Sequence, residues 1–332
     1  MALKRRSNLE FLRIIAMICI IAHHYVVNSG IEEYYDFANI NANMVFLQVW
    51  GAWGKTAINC FVLISGYFMC TSQLTYTRYL KVYFTAKMYK IILFFILAIM
   101  GYQVVSVSSI VRLLFCYLLR AGEGFTGSFL VFYLFIPFYN CCINALTKSQ
   151  LKILNVLLLF FEVVVPTFLF NEGLFNPIVW YMTLYFVAAY MRLYPEAWMK
   201  NNKICGTYLL LVFIIASVSI MVVDFWGVDF GFDAYYHMMG ESNKLFAFLI
   251  GIFAFLFFNN LKIEDSKIIN KIAATTFGVL CIHANSDAMR TFLWKNVLNV
   301  SGHYSSSFFV VVVHALLSVV GIFFSLFGYR YV

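Results

Sequence analysis

The chain has 332 residues, 63% of them hydrophobic and 11% charged, with a net charge of +8 at pH 7. A soluble domain is about half apolar and a quarter charged, so this composition excludes a water-soluble globular enzyme and fits a polytopic membrane protein. The basic excess gathers on no soluble face, which excludes a nucleic-acid partner.

Ten apolar segments are long enough, or nearly so, to cross a bilayer. The first, 11–28, is predicted to be a retained transmembrane helix rather than a cleaved signal peptide, because the run is long and carries Arg13 and His24. The second, 53–70, contains Ser65-Gly66 near its end. The third, 86–106, has Arg78, Lys81, Lys87 and Lys90 before and at its start. The stretch Val107–Leu119 is apolar but short and suits a re-entrant or interfacial helix. Segments 127–146 and 152–170 follow; the latter holds Glu162, a carboxyl that must pair or be protonated in hydrocarbon. After 176–193 and 206–224, the loop Asp224–Ser242 mixes Trp226, Phe230, Phe232, Tyr235 and Tyr236 with Asp229, Asp233, His237 and Glu241. Aromatics beside carboxylates suit stacking on sugar rings and equally suit an interfacial belt. Segments 243–260, 268–284 and 306–327 complete the set. No Pro-, Gly- or Ser-rich linker divides the chain, so residues 1–332 are read as one integral-membrane domain, all-α, with about ten transmembrane helices.

With the N-terminus in the cytoplasm, ten crossings put both termini there and give that side 17 of the 23 basic residues. That is a strong positive-inside bias, and it suits contact with anionic membrane lipid. Six basic residues fall outside: Lys55, Arg112, Arg120, Lys244, Arg290 and Lys295. Acidic residues such as Glu123, Glu172 and Asp287 lean outward. The eight cysteines lie mostly in apolar runs without Cys-x-x-Cys spacing and read as small buried hydrophobes. No His-x-x-x-His spacing occurs, so no metal is expected. Gly122-Glu123-Gly124-Phe125-Thr126-Gly127 fits a dinucleotide fingerprint literally but follows no strand, and that reading fails.

Arg13 and His24 share the first apolar segment. Eleven residues make just over three helical turns, so the two project from nearly one face, roughly 16 Å apart along the axis. Ionisable groups in hydrocarbon face a protein interior or a wet cavity. A polar tunnel with a fixed cation near one end and a proton acceptor deeper in is therefore expected. Glu10, three residues before Arg13, is placed to pair with it. His23 points about 80° away from His24, which favours His24 as the residue on the Arg13 face. The alternative is that Arg13 snorkels to the interface and the histidines cap the helix.

Asn8-Leu9-Glu10-Phe11-Leu12-Arg13, followed by Ala22-His23-His24, resembles the opening of the integral-membrane acyltransferase-3 family: an acidic residue, a hydrophobic pair, Arg, ten residues and His. Asn59-Cys60-Phe61-Val62-Leu63-Ile64-Ser65-Gly66-Tyr67 is similar to the family's segment ending in Ser-Gly-aromatic. Tyr133–Asn140 resembles its mid-chain helix, and Thr276–His283 its late helix that ends in His. The four stretches occur in order over residues 8–283.

The resemblance implies transfer of an acyl group, usually acetyl, from cytoplasmic acyl-coenzyme A to a hydroxyl of an envelope or capsular glycan or its lipid-linked precursor. It implies a multi-pass protein of the bacterial cytoplasmic membrane. In that frame His24 is the general base, since an imidazole titrates near neutrality. Arg13 binds coenzyme A phosphate or holds the passage, and Glu10 orients Arg13. Lys87 and Lys90 stand where the family has two arginines, lacking their bidentate fork; with Arg78 and Lys81 they form a nucleotide-binding cluster or ordinary positive-inside charge. His283 orients the acceptor, assists His24, or is a satisfied helix-end histidine. Ser65 is read as structural, with Gly66 permitting close helix approach. The rival function is a glycan or lipid-precursor transporter.

Overall fold

A computed structural model of the chain describes residues 5–115, 124–169, 175–226 and 236–326. It is all-helical, 78% helix, with no strand among the described residues. The principal helices are α1 Ser7–Val27, α2 Ala42–Gly51, α3 Gly54–Met69, α4 Tyr76–Ile99, α5 Val107–Phe115, α6 Phe125–Ala145, α7 Lys148–Leu159, α8 Val165–Phe168, α9 Pro177–Leu193, α10 Asn202–Trp226, α11 Leu245–Asn260, α12 Lys267–Ala273, α13 Thr276–His283, α14 Asp287–Arg290 and α15 Phe308–Ser325. Arg120, Gly122, Glu123, Glu172, Asp229, Phe230, Phe232, Asp233, Tyr235 and Arg330, singled out above or in the loops discussed, lie outside the described residues.

Among the described residues, six helices are long and apolar enough to cross a membrane: α1, α4, α6, the continuous run α7–α8, α10 and α15. The predicted segments 53–70, 176–193 and 243–260 form helices of 16, 17 and 16 residues. Burial separates central from peripheral helices. The apolar window of α1 is 56% buried, against 17% for α4 and 22% for α10. Helix α1 therefore runs through the middle, packed on α2, α3, α11, α12, α13 and α15, while α4 and α10 turn most of their surface outward.

Local signals explain the helix starts. Asn41, Thr75, Asn176, Ser266 and Ser286 each accept a backbone N–H at an N-terminus. Thr147 and Gln150 close a reciprocal capping box on α7. Two expectations are corrected. The third segment begins ten residues earlier than its hydropathy suggests, because Thr75 caps a helix whose first turns are polar; Lys87 and Lys90 are thus in mid-helix. Segment 268–284 is divided at Ala274–Thr275, where the hydroxyls of Thr275 and Thr276 donate to the Ile272 and Ala273 carbonyls at 2.7 and 2.8 Å.

Buried polar groups are tied across the bundle. The Asn59 amide donates to the Ser242 and Ala247 carbonyls at 2.7 and 3.0 Å, and its oxygen accepts the Trp180 indole N–H at 2.9 Å. Gly66 lets α3 meet α9: a Cβ there would stand 2.9 Å from the Ala188 Cβ, so the predicted close approach is present. Ser65 donates its hydroxyl back to the Phe61 carbonyl at 2.8 Å, a structural bond within its own helix. Pro166 has no N–H to give the Glu162 carbonyl four residues back. The helix widens to π form over Phe160–Val164, and the Asn243 side chain donates to that carbonyl at 2.8 Å. The Glu162 Oε2 has no hydrogen-bond partner among the described residues.

Candidate active site

The break between α12 and α13 aims the end of α13 at the last turn of α1. Gly278 allows this packing, since a Cβ there would lie 2.9 Å from the Tyr89 hydroxyl of α4. His283, the last residue of α13, is completely buried. Its Nε2 lies 3.0 Å from Nδ1 of His24, and its Nδ1 lies 2.6 Å from the Val279 carbonyl.

These contacts assign the tautomers. A carbonyl only accepts, so His283 Nδ1 carries its proton and, in the neutral ring, Nε2 carries a lone pair. That lone pair accepts the Nδ1–H of His24. The Nε2 of His24 is left as a proton acceptor. Trp294, fully buried, stands edge-on to His283 with ring centroids 6.5 Å apart.

His23 is held in a similar way. Its Nδ1 is 2.7 Å from the Gly51 carbonyl, which fixes Nδ1–H and leaves Nε2 open. Gly54 at the start of α3 makes room for it: a Cβ at Gly54 would fall on the His23 Cβ and Cγ. The two rings are 5.8 Å apart, and both line one cavity. His23 was expected on a different face from the site; the cavity wraps around the end of α1, and α3 supplies the wall that His23 meets.

That cavity holds about 910 Å³ and is walled by residues of α1, α3, α4, α5, α6, α13 and α14. Its charged lining comprises Lys55, Lys90, Arg112, Arg290 and Asp287, and its neutral polar lining includes Asn28, Gln103, Thr126 and Asn285. Lys55 pairs with Glu241 at 3.0 Å and Arg290 with Asp287 at 2.8 Å.

The remaining expected residues are placed as follows. Arg13 pairs with Glu10 at 2.8 Å, as the i,i+3 spacing predicts. On α1 the cavity takes in Ile20, His23, His24 and Val27 and not Arg13, which sits seven residues, about 10 Å, before Ile20. Lys90 faces the cavity. Lys87 donates to the Leu114 carbonyl at 2.8 Å and to the Tyr83 hydroxyl at 3.3 Å, tying α4 to the last turn of α5. Arg78 and Lys81 are exposed near the start of α4 and are not brought to the cavity. Sequence reasoning missed Lys55, Arg112 and Arg290 as lining residues. A signal existed: all three belong to the six basic residues that break the positive-inside bias.

Compared with known proteins, residues 6–328 match the family model of an acyltransferase domain, Acyl_transf_3. No curated protein and no solved structure matches.

Proposed function

Because this chain belongs to the acyltransferase 3 family, we propose that it is a multi-pass O-acyltransferase of the bacterial cytoplasmic membrane. It moves an acyl group, acetyl in the first instance, from cytoplasmic acyl-coenzyme A to a hydroxyl of an envelope or capsular glycan or its lipid-linked precursor. The chain has its N-terminus in the cytoplasm and crosses the bilayer ten times, which puts the imidazole cavity on the outer side.

The observation that supports this reading best is the hydrogen-bonded His24–His283 pair on the wall of a 910 Å³ cavity. The acceptor hydroxyl binds to Nε2 of His24. The ring takes the hydroxyl proton as the oxygen attacks the thioester carbonyl. The new C–O bond forms, the C–S bond breaks, and the proton passes to the departing sulfur, leaving the imidazole neutral again. Holding hydroxyl and thioester together supplies most of the acceleration; proton removal adds about 10²–10⁴-fold. At the cytoplasmic end Arg13, oriented by Glu10, is assigned with Arg78 and Lys81 to the phosphates of coenzyme A. Lys87 and Lys90 are assigned to the donor's passage along α4. The transporter reading is not favoured, since the matching domain is an acyltransferase.

The test is incubation of membranes containing the protein with acetyl-coenzyme A labelled in the acetyl group. Label should enter carbohydrate, and His24→Ala should lower the rate by about 10²–10⁴-fold with normal membrane insertion. A variant that transfers label at the full rate removes His24 from the mechanism.

A further inference from the structure

The chemistry above uses the imidazoles of the cavity and leaves its arginines without a task. Among the described residues, Arg112 on α5 hydrogen-bonds only within its own helix, to the carbonyl and hydroxyl of Ser108, each at 3.2 Å. It meets no carboxylate among the described residues. Arg290 spends one Nη on Asp287, while its Nε is shielded from solvent and has no acceptor. The Nδ2 of Asn28, at the end of α1 beside the histidines, is shielded and unpaired as well. Apart from the open Nε2 atoms of the two histidines, these open groups are donors, and two of the three belong to guanidinium ions. Lys55 differs, because Glu241 neutralises it.

Donors without acceptors and a cation without a counter-ion ask for an oxygen-rich anion. A neutral sugar satisfies Asn28 but not the charge of Arg112. A carboxylate or phosphate satisfies both, and the guanidinium fork matches either geometry. Placement separates this anion from the donor. The cavity lies at the end of α1 remote from Arg13, where the acyltransferase reading puts the coenzyme A phosphates. Neutral polar side chains nearby, Gln103, Ser109, Thr126 and Ser286, suit sugar hydroxyls.

We propose that the cavity selects an anionic acceptor, a glycosyl unit bearing a carboxylate or a phosphate, held by Arg112, Arg290 and Asn28 while His24 addresses its hydroxyl. The proposal rests on the acyltransferase reading only for the word acceptor; the anion site itself is testable alone.

Calorimetric titration of the detergent-purified full chain with glucuronate, glucose 1-phosphate and glucose, at matched ionic strength, tests it. At least one of the two anions should bind about tenfold or more tighter than glucose, and which of them binds better identifies carboxylate or phosphate as the recognised group. Arg112→Gln should remove that preference without moving the thermal midpoint, because the side chain is exposed and its hydrogen bonds to described residues stay within its own helix. Anions that bind no tighter than glucose overturn the proposal, as does a preference that survives Arg112→Gln. So does competition by free coenzyme A together with an equal loss of coenzyme A affinity in Arg112→Gln, which assigns the cations to the donor. Labelled acetyl transfer is scored separately. Anion preference without transfer leaves this site standing and sinks the transferase reading; transfer without anion preference does the reverse.

Discussion

The two ends of α1 treat polar groups in opposite ways. At the first turns, most hydrogen-bonding capacity is spent, the buried Glu10 Oε2 being without a partner among the described residues. Asn8 donates to the Asn259 and Leu261 carbonyls at 3.0 and 3.2 Å, Arg6 grips Asn259, Ser7 bonds Asn270, and Arg13 closes on Glu10. At the last turns it is held in reserve. His23 and His24 each commit one ring nitrogen and keep the other open, and Asn28 Nδ2 has no acceptor. A buried donor left unpaired costs about 1–3 kcal/mol, so unspent capacity is retained where a substrate uses it. On the proposed reading, one helix thus serves anchoring and donor binding at one end and proton transfer at the other.

Changes at each end should divide along that line. After His24→Ala itself, the largest effect is expected from His283→Ala, which removes the acceptor that orients His24. Loss of about 1.5 kcal/mol of orienting interaction lowers turnover roughly tenfold or more, while KM for acyl-coenzyme A stays within about twofold; a rate equal to the wild type would leave the tautomer argument without a role. At the closed end, Asn8→Ala should act on stability instead. It removes two hydrogen bonds to the end of α11, worth about 1–3 kcal/mol, seen as a lower unfolding midpoint in detergent with turnover per folded molecule unchanged. A turnover defect of tenfold in folded protein would merge the two ends into one function. The smallest effect belongs to neither end. Glu196, in the loop before α10, accepts a hydrogen bond from the Tyr190 hydroxyl at 2.6 Å and lies 3.3 Å from Lys148. The Tyr190 hydroxyl first, then Lys148, hold its carboxyl below the ordinary range. A carboxylate with a depressed native pKa stabilises the fold above its unfolded pKa and loses that contribution as pH falls through the native value. Glu196→Gln should flatten this acid-side slope slightly, in unfolding midpoints taken from neutral to acid pH.

Hydropathy and motif spacing made much of the architecture legible. Each apolar run forms helix over most of its described residues, though the third ends at Ile99 and 268–284 is divided, and the Glu10–Arg13 pair follows from the three-residue spacing. What failed has physical causes. The start of α4 was misplaced because Tyr76–Lys90 is polar enough to look like a loop, whereas the Thr75 cap and the helical periodicity carry it. Lys87 therefore lies in mid-helix, where it donates to the Leu114 carbonyl of α5. The His24–His283 contact joins residues 259 positions apart, and no local pattern encodes such a meeting. Ser65 was read as structural because no base was visible near it, and its hydroxyl bonds back to the Phe61 carbonyl of its own helix. The cavity cations were in plain view as exceptions to a topological rule, but an exception acquires meaning only when folding collects several at one place.

The proline of the α7–α8 run has a mechanical consequence. Asn243 donates to the Glu162 carbonyl, Lys244 to the Pro166 carbonyl and His237 to the Thr167 carbonyl, at 2.8, 2.8 and 3.0 Å. One short loop is thereby riveted to the interrupted helix at three points. The same loop carries Glu241, the counter-ion of Lys55 on the cavity wall. Any tilt of the interrupted helix would carry this loop, and so would alter the charge balance beside the imidazoles.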